Sequence, residues 1–249
     1  MLTIEHLSKT YPGGKRAVED LSFSVPTGEI VGFIGHNGAG KSTTLRCVAG
    51  ILPFDSGQIL IDGHDIARQP VAAKQAMAFL PDNPDLYEFL TGVKYLQFIA
   101  DLYAIPADVR TRRVARYADA FDLTGALGSP IGGYSHGMKQ KLALISAFIR
   151  QPRLLILDEP FVGLDPQAAF TLKELLRQLC RDGGAVLFST HVLEVAEKLC
   201  GAIVIIQNGR LVRSGPTAAV IGDESLEQVF LDLAAEGPER SREGAQGHA

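Results

Sequence analysis

The sequence predicts an α/β fold with a mainly parallel sheet flanked by helices, an antiparallel β part near the N-terminus and an inserted helical subdomain. Three observations point there. Short β-branched or apolar runs alternate with helical patterns along both ends of the chain. The run Leu154-Leu155-Ile156-Leu157 is continuous rather than alternating, which suits a central strand buried on both faces. Between Pro84 and Arg150 strand signals vanish and apolar residues recur at helical spacing.

In chain order, strands are expected at Leu2–Leu7, Leu21–Val25, Ile30–Ile34, Gln58–Ile61, Met77–Leu80, Leu154–Leu157, Ala185–Ser189 and Ala202–Ile206. Helices are expected at Lys41–Ile51, Gln167–Leu179 and Leu193–Cys200. Three more follow from Val93/Leu96/Ala100, Val114/Tyr117/Phe121 and Leu142/Ile145/Ile149. Leu226, Val229, Phe230 and Leu233 fit a closing amphipathic helix, and the polar, Gly-rich end from Glu236 to Ala249 reads as disordered. The expected organisation is one domain over 1–222, with a core of 1–82 and 151–222 and a helical subdomain of 83–150. The helix and tail occupy 223–249.

Composition narrows the function. With 24 Lys+Arg against 28 Asp+Glu the net charge is −4, which argues against a nucleic-acid partner held by a basic field. The longest nearly apolar run, Leu142–Ile149, falls far short of the ~20 residues that span a bilayer. The N-terminus lacks the basic and apolar regions of a signal peptide, and three cysteines without metal-like spacing suit reduced thiols. The expectation is a cytoplasmic protein.

Gly35-His36-Asn37-Gly38-Ala39-Gly40-Lys41-Ser42, followed by Thr43, fits G-x4-G-K-[ST] and lies between a strand and a helix, the context a phosphate-binding P-loop requires. Glycines let successive N–H groups face phosphate oxygens, and the helix N-terminus adds positive potential. Lys41 is expected at the β- and γ-phosphates and Ser42 on Mg²⁺. Further on, the apolar run 154–157 ends in Asp158-Glu159. Asp158 is placed at the strand tip to hold the Mg²⁺ hydration shell and Glu159 to polarise an attacking water.

With these motifs the chain resembles the nucleotide-binding subunit of an ABC transporter, a P-loop NTPase, from Leu2 to about Ala235. Tyr11 sits where that family places an aromatic against adenine. Tyr134-Ser135-His136-Gly137-Met138 occupies the place of the signature Leu-Ser-Gly-Gly-Gln. Val162-Gly163-Leu164-Asp165 resembles the D-loop, and His191 the switch histidine. The resemblance implies an ATPase that uses ATP and Mg²⁺ in a head-to-tail dimer, homo- or heteromeric, where each ATP lies between one P-loop and the partner's signature. Ser135, as a helix N-cap, and the N–H groups near Gly137 would face the γ-phosphate; Asp165 would reach across the dimer; His191 would orient water beside Glu159. It also implies a polytopic transmembrane permease as partner and a peripheral place on the inner face of the membrane.

Three positions depart from the family pattern. Asp82 stands where the family has Gln; it is expected either to keep a metal-side role or to cap a helix. His136 replaces a signature Gly, and Met138 the Gln. Tyr-Ser-His-Gly-Met with Lys139-Gln140-Lys141 and the closing helix resemble the ABC-2-type exporter branch. Leu86, Tyr87, Phe89, Leu90, Tyr95 and Phe98 lie where the family docks a helix of its membrane subunit; most are expected to be core. Arg110, Arg112, Arg113 and Arg116 read as a solvated face, with anionic lipid as the alternative contact. A soluble ABC-type ATPase without a membrane partner is the alternative function.

Overall fold

The computed structural model describes residues 1–236; the expected tail beyond Glu236 lies outside the described residues. The strands are β1 (Leu2–Thr10), β2 (Arg16–Val25), β3 (Ile30–Ile34), β4 (Ser56–Ile61), β5 (His64–Asp65), β6 (Met77–Leu80), β7 (Leu154–Asp158), β8 (Ala185–Thr190), β9 (Ala202–Gln207) and β10 (Arg210–Pro216). The α-helices are α1 (Lys41–Val48), α2 (Pro70–Ala76), α3 (Gly92–Leu102), α4 (Ala107–Ala120), α5 (His136–Phe148), α6 (Pro166–Arg181), α7 (Leu193–Leu199), α8 (Thr217–Ile221) and α9 (Leu226–Glu236).

A six-stranded sheet runs β10-β9-β3-β8-β7-β6, parallel except for the β9–β10 pair. A four-stranded antiparallel sheet, β2-β1-β4-β5, stands beside it. The period of two in a strand sorts the core between them. Val31 and Phe33 of β3, Leu154 and Ile156 of β7, and Leu187 of β8 join Leu2, Ile4, Ile59 and α1's Leu45 between the sheets. Ile30, Ile34, Leu155, Leu157, Val186 and Phe188 face the other way, onto α5, α6 and α7. Burial on both faces explains the unbroken apolar run 154–157 and leaves Asp158 as the first polar group at the strand tip. All three cysteines are buried, and burial pushes the Cys47 and Cys180 thiols up to about 11, so they act as small apolar residues.

The structure corrects several expectations. α1 ends at Val48, because Gly50 turns left-handed and Leu52 N–H folds back onto the Arg46 carbonyl. The exposed edge strand β10, with Arg, Ser and Gly in its sequence, takes its conformation from pairing with β9 rather than from local propensity. Half of the aromatic cluster is outside rather than core: Leu86 and Tyr95 are buried, but Tyr87, Phe89 and Phe98 are 48%, 82% and 43% exposed. α3 turns Leu96 and Ala100 inward and leaves its other face open. Of the α4 arginines Arg112 and Arg116 are exposed, whereas Arg110 and Arg113 are half-buried. Arg110 and Arg112 pair with Asp101 and Asp108, and Arg113 donates to the Ile149 carbonyl and Gln151.

Candidate functional site

The C-terminal tips of β3 and β7 open onto one cleft of about 260 Å³, lined by Tyr11, Asn37, Gly38, Gly40, Lys41, Ser42, Thr43, Asp82, Asp158 and Glu159, with Lys15 and Ala17 at its side. This is the place the topology assigns to a ligand in an open parallel sheet. A larger cavity, about 550 Å³ between α4, α5 and α6, lies away from these motifs, so size does not identify the site.

The loop from Gly35 to Gly40 is shaped by its smallest residues. Gly40 has φ +108°, and a Cβ there would stand 2.4 Å from the Ala17 carbonyl oxygen, so no other residue fits without moving β2. Ala39 is buried, and its N–H donates to the His36 carbonyl. Lys41 opens α1 and folds back over the loop, donating to the carbonyls of Gly35 at 2.6 Å and His36 at 3.3 Å. Burial lowers its pKa, and the carboxylates of Glu159 and Asp158 oppose that. The His36 ring turns away from the cleft. Its Nδ1 meets the Asn37 carbonyl oxygen, and the ring lines a small cavity with Phe230 and Leu233 of α9.

Asp158 is 3% exposed. One of its oxygens accepts the Ser189 hydroxyl at 2.5 Å. Ser189, at the end of the adjacent strand, also accepts the Glu159 N–H, at its hydroxyl and at its carbonyl. That grip holds Glu159 at φ +50°, left-handed backbone that costs a non-glycine residue of order 1 kcal/mol and re-aims its side chain. Glu159 Oε2 then receives both the His191 N–H at 3.3 Å and His191 Nδ1 at 2.9 Å. Ser189 is the residue that the motifs left out. Its signal was only that it precedes Thr190-His191 on a strand beside Asp158.

Asp82 reaches the cleft directly after β6 and caps no helix: α3 starts ten residues later on Thr91, whose side chain accepts the Lys94 N–H. The helix-cap alternative is therefore excluded. Tyr11 lines the cleft with its hydroxyl 3.3 Å from Thr43 Oγ1.

Ser135 is the N-cap of α5, accepting the Met138 N–H at 3.3 Å. None of Ser135, His136 and Gly137 lines the cleft. They lie at the α5 N-terminus against the segment that follows Glu159: a Cβ on Gly137 would come within 2.7 Å of the Gly163 carbonyl oxygen, and the His136 ring edge lies over Gly163. Asp165 caps α6, with Oδ1 accepting the Ala168 N–H at 2.8 Å and Oδ2 paired to Lys141 at 2.7 Å. Lys141 and the Ala168 N–H hold the Asp165 carboxyl below its ordinary range.

The donor set fits ATP with Mg²⁺. Lys41 and the loop N–H groups suit phosphate oxygens. Ser42 and Asp158 are hard oxygen donors of the kind that share Mg²⁺ with phosphates. Among the described residues no helix is long and apolar enough to cross a membrane.

Similarity agrees with this chemistry. The ABC transporter family profile matches residues 18–162. The chain is 32% identical to the ABC transporter ATP-binding protein NatA of Bacillus subtilis (strain 168), over 92% of this chain and 95% of that one. A solved ATP-binding subunit of an ABC transporter superposes with a TM-score of 0.90 at 36% identity, covering 94% of this chain and 99% of the other. CbiO1 from Clostridium perfringens, described as part of the ABC transporter complex cbiONQ, gives 0.76 at 26% identity over 95% and 96%. Cleft, motifs and relatives agree: the chain belongs to the ABC transporter family as an ATP-binding subunit, an ATPase that uses ATP and Mg²⁺.

Proposed function

We propose that this chain is the motor of an exporter: it hydrolyses ATP between two nucleotide-binding subunits and drives a separate polytopic permease from the cytoplasmic face of the membrane. The observation that carries this reading is the separation of its motifs. The cleft gathers the P-loop, Asp158 and Glu159, whereas Ser135 and Gly137 stand outside it on the α5 N-terminus. A second chain, identical or paralogous, would bring its own Ser135 hydroxyl and helix N-terminus to the γ-phosphate.

In that arrangement Asn37 to Thr43 bind the phosphates, Lys41 neutralises the β- and γ-oxygens, and Tyr11 packs on the adenine. Ser42 and Asp158 would hold Mg²⁺, which when bound would screen charge on the phosphates. Glu159 takes the proton of the attacking water, and His191, hydrogen-bonded to it, fixes the carboxylate's direction. Loss of the γ-phosphate removes the group that joins the two chains, so the pair opens.

Asp82, exposed at the cleft, would supply a carboxylate on the metal side of the site. Asp82→Ala should raise the Mg²⁺ concentration for half-maximal ATPase by about tenfold; unchanged metal dependence and turnover would remove it from the metal side.

Tyr87, Phe89, Phe98 and Leu102 form an exposed apolar patch on α3 and the loop before it. Tyr87 packs edge-on to Phe98, with ring centroids 5.6 Å apart. A helix of the permease docks there, aromatic groups being favoured at such contacts. The export direction rests on the likeness of Tyr134–Lys141 and α9 to the ABC-2-type branch. Purification of the tagged chain from solubilised membranes should bring down a polytopic protein, and Phe89→Asp should release it while the isolated chain still hydrolyses ATP. Recovery without a polytopic partner would favour the soluble ATPase reading.

A further inference from the structure

The α5 N-terminus and the segment after Glu159 meet at four points. The Lys141 ammonium pairs with Asp165 at 2.7 Å, with only 15% of the lysine side chain exposed. Gln140, fully buried, donates to the Pro160 carbonyl at 3.4 Å. Gly137 lies against the Gly163 carbonyl so closely that no Cβ fits, and the His136 ring covers Gly163, whose φ is +78°. Three of these contacts are neutral van der Waals approaches or a long hydrogen bond. The fourth is a charge pair, partly shielded from water, whose aspartate is also fixed by capping α6.

We infer that Lys141 is a positioning residue: its pair with Asp165 fastens the signature helix α5 to the loop that follows Glu159, and so sets the angle at which Ser135 and Gly137 meet the partner's nucleotide. The inference rests on the sandwich-dimer reading. Its physical content is that α5 closes the helical insertion, packed along its buried length on the core strands, and that its N-terminal turn meets residues 159–165, which follow β7. The insertion is joined to the core in sequence only through β6 and β7. Without the ion pair the first turns of α5 have no charged tie to this loop, and Ser135 and Gly137 sample positions that miss the γ-phosphate. Dimer formation then loses, while the P-loop of the same chain, formed by β3 and α1, is untouched. The pair also joins each chain's Glu159 to its own signature, so one site's geometry is felt at the other.

The test uses Glu159→Gln as parent, so that ATP is held rather than hydrolysed, and reads the ATP concentration for half-maximal dimer by sedimentation. Adding Lys141→Met should raise that concentration about tenfold, with binding of a fluorescent ATP analogue by the dilute monomer unchanged. Lys141→Arg should restore it in part. Asp165→Asn removes the charge but keeps a good N-cap for α6; it should reproduce the effect, and the double variant should be no worse than either single one. A parent that does not dimerise overturns the sandwich reading itself. A dimerising parent whose Lys141→Met form needs no more ATP, or additive effects of the two substitutions, overturns the latch alone. Weakened nucleotide binding by the Lys141→Met monomer would make Lys141 a general fold residue and also overturn it.

Discussion

Glu159→Gln lowers steady-state phosphate release by about 10²- to 10⁴-fold, the usual worth of a general base, and leaves ATP binding intact. The geometry predicts loss of chemistry without loss of fold. Glu159 is held by its backbone, through two contacts to Ser189 that a glutamine keeps. The left-handed φ of +50° is as accessible to Gln as to Glu. A Gln side-chain oxygen still accepts the His191 N–H that now reaches Glu159 Oε2. What disappears is the basic lone pair, since an amide oxygen does not take a proton from water near neutral pH. Phosphate release together with nucleotide titration separates the two quantities, and a variant that turns over normally would remove Glu159 as the base.

Lys41→Ala weakens ATP binding by about 10²-fold, equivalent to about 2.7 kcal/mol. Lys41 is buried against the Gly35 and His36 carbonyls and faces two carboxylates, so its charge is pre-positioned where phosphate oxygens arrive. Alanine removes the cation, leaves those carbonyls without it, and leaves Asp158 and Glu159 to repel the incoming nucleotide. The loss should therefore exceed that of an exposed lysine, for which screening leaves ~1 kcal/mol at most. A fluorescent ATP analogue measures it directly; an affinity within about twofold of the parent would show that the loop N–H groups suffice without Lys41.

The cleft was legible because its parts are contiguous in sequence. A glycine-rich turn between a strand and a helix, and two carboxylates closing an apolar run, state their own geometry, and Ser135 declared its cap by standing before a helical period. β3 and β6 were legible to the residue, since both are apolar runs closed at the C-terminal end by Gly35 or Pro81. Contacts between distant segments were not legible. Asp165 stood out by its motif, but nothing in the sequence pairs it with Lys141 until α5 and α6 are packed together. The left-handed Glu159 carries no local mark, because its conformation is imposed from β8. β10 could not be read either, as an edge strand owes its form to its neighbour. Asp82 was ambiguous for a related reason. Whether it capped a helix depended on where the next helix began, and the loop to Thr91 removes that alternative.

In the sandwich-dimer reading this chain holds one half of a site that a second chain completes. Its cleft has donors for the phosphates, the metal and the water, and its signature residues lie elsewhere. The measurement that tests this most directly is the sedimentation mass and nucleotide content of Glu159→Gln with Mg²⁺-ATP. The account predicts a shift from monomer to dimer on adding ATP, with two nucleotides retained per dimer, and return to monomer when ATP is removed. A protein that stays monomeric at saturating ATP, with one nucleotide bound to each chain, would contradict it.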